Sequence, residues 1–153
     1  MVMKLSLETD LSCSPEAAWR EVKKPALLQH VARPLLTFRP VSATAFPYVW
    51  QRGESVKLRS YLLGFIPFGG VRTLYFEVVD DAALRLQTRE QDAVIRRWDH
   101  LITVERNREG GATYTDSLEL DAGALTLPVW VFAHVFYRHR QRRWRKLAPS
   151  LED

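Results

Sequence analysis

Two polar residues occupy positions where the sequence pattern calls for apolar side chains. Residues 98–104 alternate apolar and polar types like a half-buried strand, and His100 falls on the apolar face. Residues 114–120 alternate in the same way, and Asp116 falls on their apolar face. A hairpin register that keeps both faces inward makes His100 and Asp116 direct or diagonal neighbours. The pair is either an acid–base group, with the aspartate orienting the imidazole, or a buried pair satisfied by hydrogen bonds.

A third candidate, Arg140, lies on the apolar face of the long helix predicted near the end of the chain. A buried arginine is costly without an acidic partner, and we expect Asp116 in that role, with Glu77 or Asp99 as the next choices. In one interpretation the planar guanidinium group of Arg140 binds the carboxylate or phosphate of a ligand. In the other, the arginine only fixes the helix to the sheet or extends to water.

The elements that must position these residues follow an α+β order. Alternation over residues 3–12 predicts a strand, and Ser14 followed by Pro15 predicts the first of two short helices, with Pro25 opening the second. Short alternating segments joined by turns then predict a run of antiparallel strands. From Leu125 the apolar period becomes that of one long helix. We therefore predict a single α+β domain over residues 1–153, with a curved antiparallel sheet of about six to seven strands around the terminal helix.

This order of elements is similar to the helix-grip superfamily called SRPBCC, which includes START domains, pollen-allergen-like proteins and polyketide cyclases. The resemblance covers nearly all of residues 3–148 and includes the Ser-Pro-Glu-Ala-Ala-Trp opening at 14–19. Four further motifs resemble a bacterial subgroup of unsettled role: Trp98-Asp99-His100, Tyr114-Thr115-Asp116, Asp121-Ala122-Gly123 and Phe136-Tyr137-Arg138-His139-Arg140. The resemblance implies a cavity between helix and sheet that holds a hydrophobic small molecule or lipid. It implies no single chemistry, because carriers, cyclases and hydrolases share this fold.

Three functions follow as hypotheses. The preferred one is non-enzymatic binding of an apolar or amphipathic small molecule, with His100, Asp116 and Arg140 orienting its polar head. The second is a cyclase- or hydrolase-type enzyme that uses His100 or Asp116 as acid–base group, and the third is a membrane-surface lipid or quinone carrier. The inward positions expected to form the cavity walls are Leu58, Leu62, Phe76, Leu86, Trp98, Ile102, Tyr114, Leu118, Phe132 and Phe136.

The positive charge of the chain is local. Lysines and arginines number 22 against 18 acids, for a net charge of +4. The excess lies in residues 138–146, and its cations are Arg138, Arg140, Arg142, Arg143, Arg145 and Lys146. The rest of the chain is close to neutral, which argues against nucleic acid as a partner. The basic end is either a solvated face that complements the helix dipole or a transient contact with an anionic membrane.

Several classes of site are not expected. The single cysteine, Cys13, excludes an intrachain disulfide, and the four histidines lack metal-ligand spacing, so we expect neither a metal nor a cofactor. No apolar run approaches the ~20 residues of a membrane span, and no signal peptide is evident, which predicts a cytoplasmic protein, either monomer or homodimer. The apolar segment 63–70 is expected to be a turn, either exposed as a lid or contact or tucked into the core.

Overall fold

The computed structural model describes residues 1–41 and 45–151. Three α-helices and seven β-strands follow the predicted order, and short 3₁₀ turns flank the last helix at Gly123–Leu125 and Ala148–Ser150. The elements are β1 (Met3–Leu11), α1 (Pro15–Val22), α2 (Pro25–Ala32), β2 (Leu36–Pro40), β3 (Ser55–Leu62), β4 (Ile66–Asp80), β5 (Arg85–Gln91), β6 (Arg97–Arg106), β7 (Ala112–Asp121) and α3 (Thr126–Leu147).

The strands form one antiparallel sheet in the order β1-β7-β6-β5-β4-β3-β2. Every pair except β1–β7 joins strands adjacent in sequence, and β1 closes against the last strand. This seven-stranded sheet with a long final helix and two short helices after β1 confirms the predicted helix-grip α+β fold.

Local sequence explains where the two short helices begin. The Ser14 hydroxyl accepts a hydrogen bond from the amide of Ala17 at 3.1 Å, and Pro15 fills the first helical position. Pro25 opens α2 in the same way, although no side chain caps that helix. Together α1 and α2 cover one end of the sheet and contact α3 through α2.

Two irregularities bend the long strand β4. The register shifts between Arg59 and Ser60 of β3, opposite the extra residues Gly69 and Gly70 of β4. Both glycines have positive φ, 75° and 71°, which side-chain-bearing residues rarely adopt. A second shift lies at Phe76 to Val78 against β5. Such bulges increase local twist and bend a strand, so they help the sheet wrap around α3.

The predicted apolar turn at 63–70 is shorter than the sequence indicated. Because β4 begins at Ile66, only residues 63–65 form the turn, and the glycines that suggested a longer loop form the bulge inside the strand. Phe65 at the tip is 73% exposed and Leu63 is 54% exposed. The tip of the segment is therefore exposed, whereas Phe68 is partly buried and its ring lies 5.4 Å from the Phe132 ring on α3.

Candidate functional site

A cavity of about 90 Å³ lies between the concave face of the sheet and α3. Side chains from α1, α2, β2 to β6 and α3 contribute to its wall. It is smaller than the ~300–1,000 Å³ of pockets that enclose drug-sized molecules. The wall is mainly aliphatic and aromatic, with a few polar side chains, namely Ser60, Arg72, Thr88, Glu90, His100, Tyr137 and Arg140.

Most of the predicted ligand-binding positions line this cavity. They are Leu58, Phe76, Leu86, Trp98, His100, Ile102, Phe132, Phe136 and Arg140. The sequence missed a second group, which includes Val22, Leu27, Leu28, Leu36, Phe38 and Trp50. These residues come from α1, α2, β2 and an irregular loop, and no sequence period links them to the strands, because only packing brings the helices over the end of the sheet.

Four of the predicted ligand-binding residues lie outside the cavity lining. Leu62 is only partly buried, at the end of β3 beside the exposed turn. Tyr114, Asp116 and Leu118 are buried on β7, which α3 covers directly. The Tyr114 ring lies 5.5 Å from the ring of Trp144 on that helix. The inward face of β7 is therefore filled by the second half of α3, and the open space lies over β3 to β6.

The predicted neighbourhood of His100 and Asp116 is confirmed. His100 pairs directly with Leu118 and Asp116 pairs with Ile102, which makes the two polar residues diagonal neighbours across β6 and β7. His100 Nε2 lies 2.7 Å from Asp116 Oδ1. An ionised carboxylate can only accept hydrogen bonds, so Nε2 carries the proton in this contact. The imidazole itself lines the cavity, whereas the carboxylate lies behind it.

Asp116 is fully buried and held by three side-chain donors. Oδ1 accepts from His100 and from the Tyr114 hydroxyl at 3.0 Å, and Oδ2 accepts from Gln141 Nε2 at 3.0 Å. Burial alone would raise the pKa of Asp116, but the His100 hydrogen bond and the positive charge of Arg140 lower it below its ordinary value. Burial and the adjacent carboxylate raise the pKa of Tyr114 well above its ordinary value. Asp116 is therefore an anion beside a neutral tyrosine.

Arg140 does not form the ion pair that the sequence predicted. Its side chain is 95% buried, and Nε has no hydrogen-bond partner among the residues that the structure describes. The expected partners are engaged elsewhere, because Asp116 binds three other donors and Glu77 and Asp99 both pair with Arg89. Burial opposes the charge of Arg140, yet nearby Tyr114 and Asp116 more than offset burial and raise its pKa. A buried donor without an acceptor costs ~1–3 kcal/mol.

A second charged group at the cavity was also missed. Arg72 Nε donates to Glu90 Oε1 at 3.0 Å, Thr88 donates to Glu90 Oε2 at 2.6 Å, and the Arg72 guanidinium lies 4.5 Å from the Trp98 ring. The sequence pattern could have identified both residues, because residues two apart in a strand face the same side. Arg72 is two residues from buried Leu74 on β4, and Glu90 is two residues from buried Thr88 on β5. The parity argument that identified His100 applies equally to this pair.

The basic end of α3 is partly used within the fold. Arg143 donates to the carbonyl oxygen of His30 at 3.0 Å, and Arg145 donates to the Thr9 hydroxyl at 2.8 Å. Arg138, Arg142 and Lys146 are exposed. These three residues recur every four positions and therefore share one side of the helix.

The described residues contain neither a metal-ligand cluster nor a helix suited to span a membrane. No group of three or more His, Cys, Asp or Glu side chains is placed to hold a metal ion in residues 1–41 and 45–151. Within the same part of the chain, no helix combines the length and the apolar character needed to cross a membrane.

The comparisons with known proteins identify the fold. No family model and no curated protein matches the sequence. Protein CV1439 from Chromobacterium violaceum is similar in structure, with a TM-score of 0.74 and 14% identity, over 95% of this chain and 96% of that one. Protein NE0264 from Nitrosomonas europaea has a TM-score of 0.69 and 17% identity, over 97% and 95%. Ara h 8.0201, a Bet v 1-like protein, has a TM-score of 0.61 and 10% identity, over 92% and 95%. At these identities the likeness establishes the helix-grip fold alone.

Proposed function

We propose that this protein is a non-enzymatic binding protein that holds a small apolar or amphipathic molecule between the sheet and α3. The cavity is the observation that carries the proposal, because its wall is mainly apolar and its few polar groups are placed to orient a head group. The fold shared with Bet v 1-like ligand-binding proteins supports a binding role.

The size of the cavity limits what apolar contact can contribute. Burying about 200 Å² of apolar ligand surface at about 25 cal/mol per Å² supplies about 5 kcal/mol. Before the entropy cost of association is subtracted, that energy corresponds to a Kd of about 0.2 mM, so apolar contact alone binds more weakly than this. Tighter binding therefore needs either a polar contact at the head group or movement of side chains that enlarges the space.

Native mass spectrometry of the purified protein, followed by organic extraction, tests the proposal directly. We expect a lipophilic molecule to remain bound under gentle ionisation and to appear in the extract. A cavity-filling variant sharpens the assay, since Leu86 is 3% exposed and lines the cavity. Leu86→Phe should lose the bound molecule.

Leu101→Phe is the matched control for Leu86→Phe. Leu101 lies on neighbouring β6, does not line the cavity, and faces away from it by strand parity. It gains the same volume without filling the cavity, so the bound molecule should remain. Absence of any bound molecule from wild type, together with failure of the apolar probes described below, would remove the proposal.

An acid–base enzyme is the second candidate, favoured by the 2.7 Å contact between His100 and Asp116 at the cavity wall. An aspartate that fixes an imidazole is a recurrent arrangement in general base catalysis. Hydrolysis of p-nitrophenyl hexanoate by wild type and Asp116→Asn separates the two functions. A binding protein gives the same background rate in both. A loss of about 100-fold or more in Asp116→Asn, with correct folding, would favour the enzyme.

A further inference from the structure

Arg140 is a buried cation with free hydrogen-bonding capacity at the cavity wall. Its side chain is 95% buried, it lines the cavity, and Nε has no partner within the described residues. Two other buried ring nitrogens share that lack of a partner, those of His134 and Trp144, but neither residue lines the cavity. Among the described residues that line the cavity, Arg140 is the one cation whose buried Nε has no hydrogen-bond partner.

The two carboxylates that act on the charge of Arg140 accept hydrogen bonds from other donors. Asp116 accepts from His100 and Tyr114 on one oxygen and from Gln141 on the other. Glu90 accepts from Arg72 on Oε1 and from Thr88 on Oε2. Both carboxylates act on the charge of Arg140 from a distance. They stabilise the buried charge, but they do not supply the acceptor that its donors require.

Aromatic contacts hold the guanidinium without using its donors. The Arg140 guanidinium carbon lies 5.0 Å from the Tyr137 ring centre and 5.7 Å from the Phe136 ring centre. A cation over an aromatic ring is attracted by the π face, while the N–H groups of a guanidinium point outward in its own plane. The group is thus positioned by contacts that use none of its N–H donors.

We infer that the cavity binds a small amphipathic carboxylate, whose anionic head is received by Arg140 and whose apolar tail lies against Phe132, Phe136 and Leu86. This inference rests on the proposed function. A carboxylate matches the planar fork of a guanidinium and forms charge-assisted hydrogen bonds with it. A doubly charged phosphate fits less well, because the carboxylates of Asp116 and Glu90 already act on Arg140, and a second negative charge on the ligand would add to the repulsion from them.

Calorimetric titration at pH 7 with matched probes tests the inference. The pair is 3-phenylpropionate and 3-phenylpropionamide, which share a tail and a planar head but differ in charge. Hexanoate and hexanamide repeat the comparison with an aliphatic tail. We expect each acid to bind at least about tenfold more tightly than its amide, the size of effect that one charge-assisted hydrogen bond provides.

Arg140→Met removes the charge while keeping a side chain of similar volume, and Asp116 keeps its three hydrogen-bond donors in this variant. We expect this variant to bind acid and amide with affinities within about threefold of each other. Arg142→Met is the matched control, because Arg142 is exposed on the same helix and does not line the cavity. It should keep the preference of wild type for the acid.

The outcomes separate the two levels of the proposal. Equal affinity of wild type for acid and amide overturns the carboxylate site and leaves apolar binding intact. Binding of neither probe pair overturns the carboxylate site, and it overturns the binding proposal as well when wild type also carries no co-purified molecule. Retained preference in folded Arg140→Met shows that another group receives the head and also overturns the assignment. If Arg140→Met does not fold, the wild-type acid-to-amide ratio decides by itself.

Discussion

Replacing Asp116 by alanine is the sharpest test of how the interior is held together. The substitution leaves the His100 Nε2–H and the Tyr114 hydroxyl without the acceptor that lies 2.7 and 3.0 Å away. Gln141 loses less, because its Nε2 also donates to the Leu7 carbonyl oxygen at 2.7 Å. Arg140 loses the nearest compensating charge that acts on it.

The expected loss follows from these contacts. Two orphaned buried donors at ~1–3 kcal/mol each, with a cation left less compensated, give a decrease of about 3–5 kcal/mol in the free energy of unfolding. With a urea m-value of about 2 kcal/mol/M, the unfolding midpoint falls by about 1.5–2.5 M. Many domains have only ~5–15 kcal/mol in total, so this loss is a large part of the stability.

Urea unfolding at pH 7, followed by tryptophan fluorescence and far-UV circular dichroism, measures the change. Glu8→Ala is the control, because Glu8 is an exposed acid on β1 and its replacement should stay within about 0.5 kcal/mol. A decrease below about 1 kcal/mol for Asp116→Ala, comparable with the control, would refute the view that this network fixes β6, β7 and α3 together.

Three further outcomes are expected. Because the pKa of Asp116 is lowered in the folded state, its charge stabilises the fold above the unfolded pKa of about 3.9, and this stability is lost as the pH falls through the folded pKa. Urea unfolding between pH 2.5 and 7 should therefore show that the difference in unfolding free energy between wild type and Asp116→Asn becomes smaller in acid. A difference that stays constant over this range contradicts the prediction. Ser14→Ala removes the α1 cap and should cost about 1 kcal/mol in thermal unfolding; an unchanged melting curve would count against the cap. We also propose that Arg138, Arg142 and Lys146 contact anionic membranes. In a flotation assay at low salt, wild type should rise with vesicles that contain phosphatidylserine, and the variant with all three residues changed to glutamate should not. Equal flotation of the two proteins removes this proposal.

The period-two alternation of apolar and polar residues predicted most of the fold and part of the site. It identified the inward faces of β6 and β7, and hairpin adjacency then restricted His100 and Asp116 to neighbouring positions, as the structure confirms. The same parity applied to β4 and β5 would have added Arg72 and Glu90 to the cavity wall. The predicted turn was too long, because Gly69 also suits a bulge and local sequence does not distinguish the two uses.

The sequence by itself determined which faces of the strands and of the last helix are buried, because side-chain direction follows from local backbone geometry. Only the tertiary structure decided what meets across those faces. The placement of α3 lets Asp116 accept hydrogen bonds from His100, Tyr114 and Gln141, and it leaves Arg140 Nε without an acceptor among the described residues. Distances between a helix and a sheet depend on how whole side chains pack, and no repeat within either element encodes them.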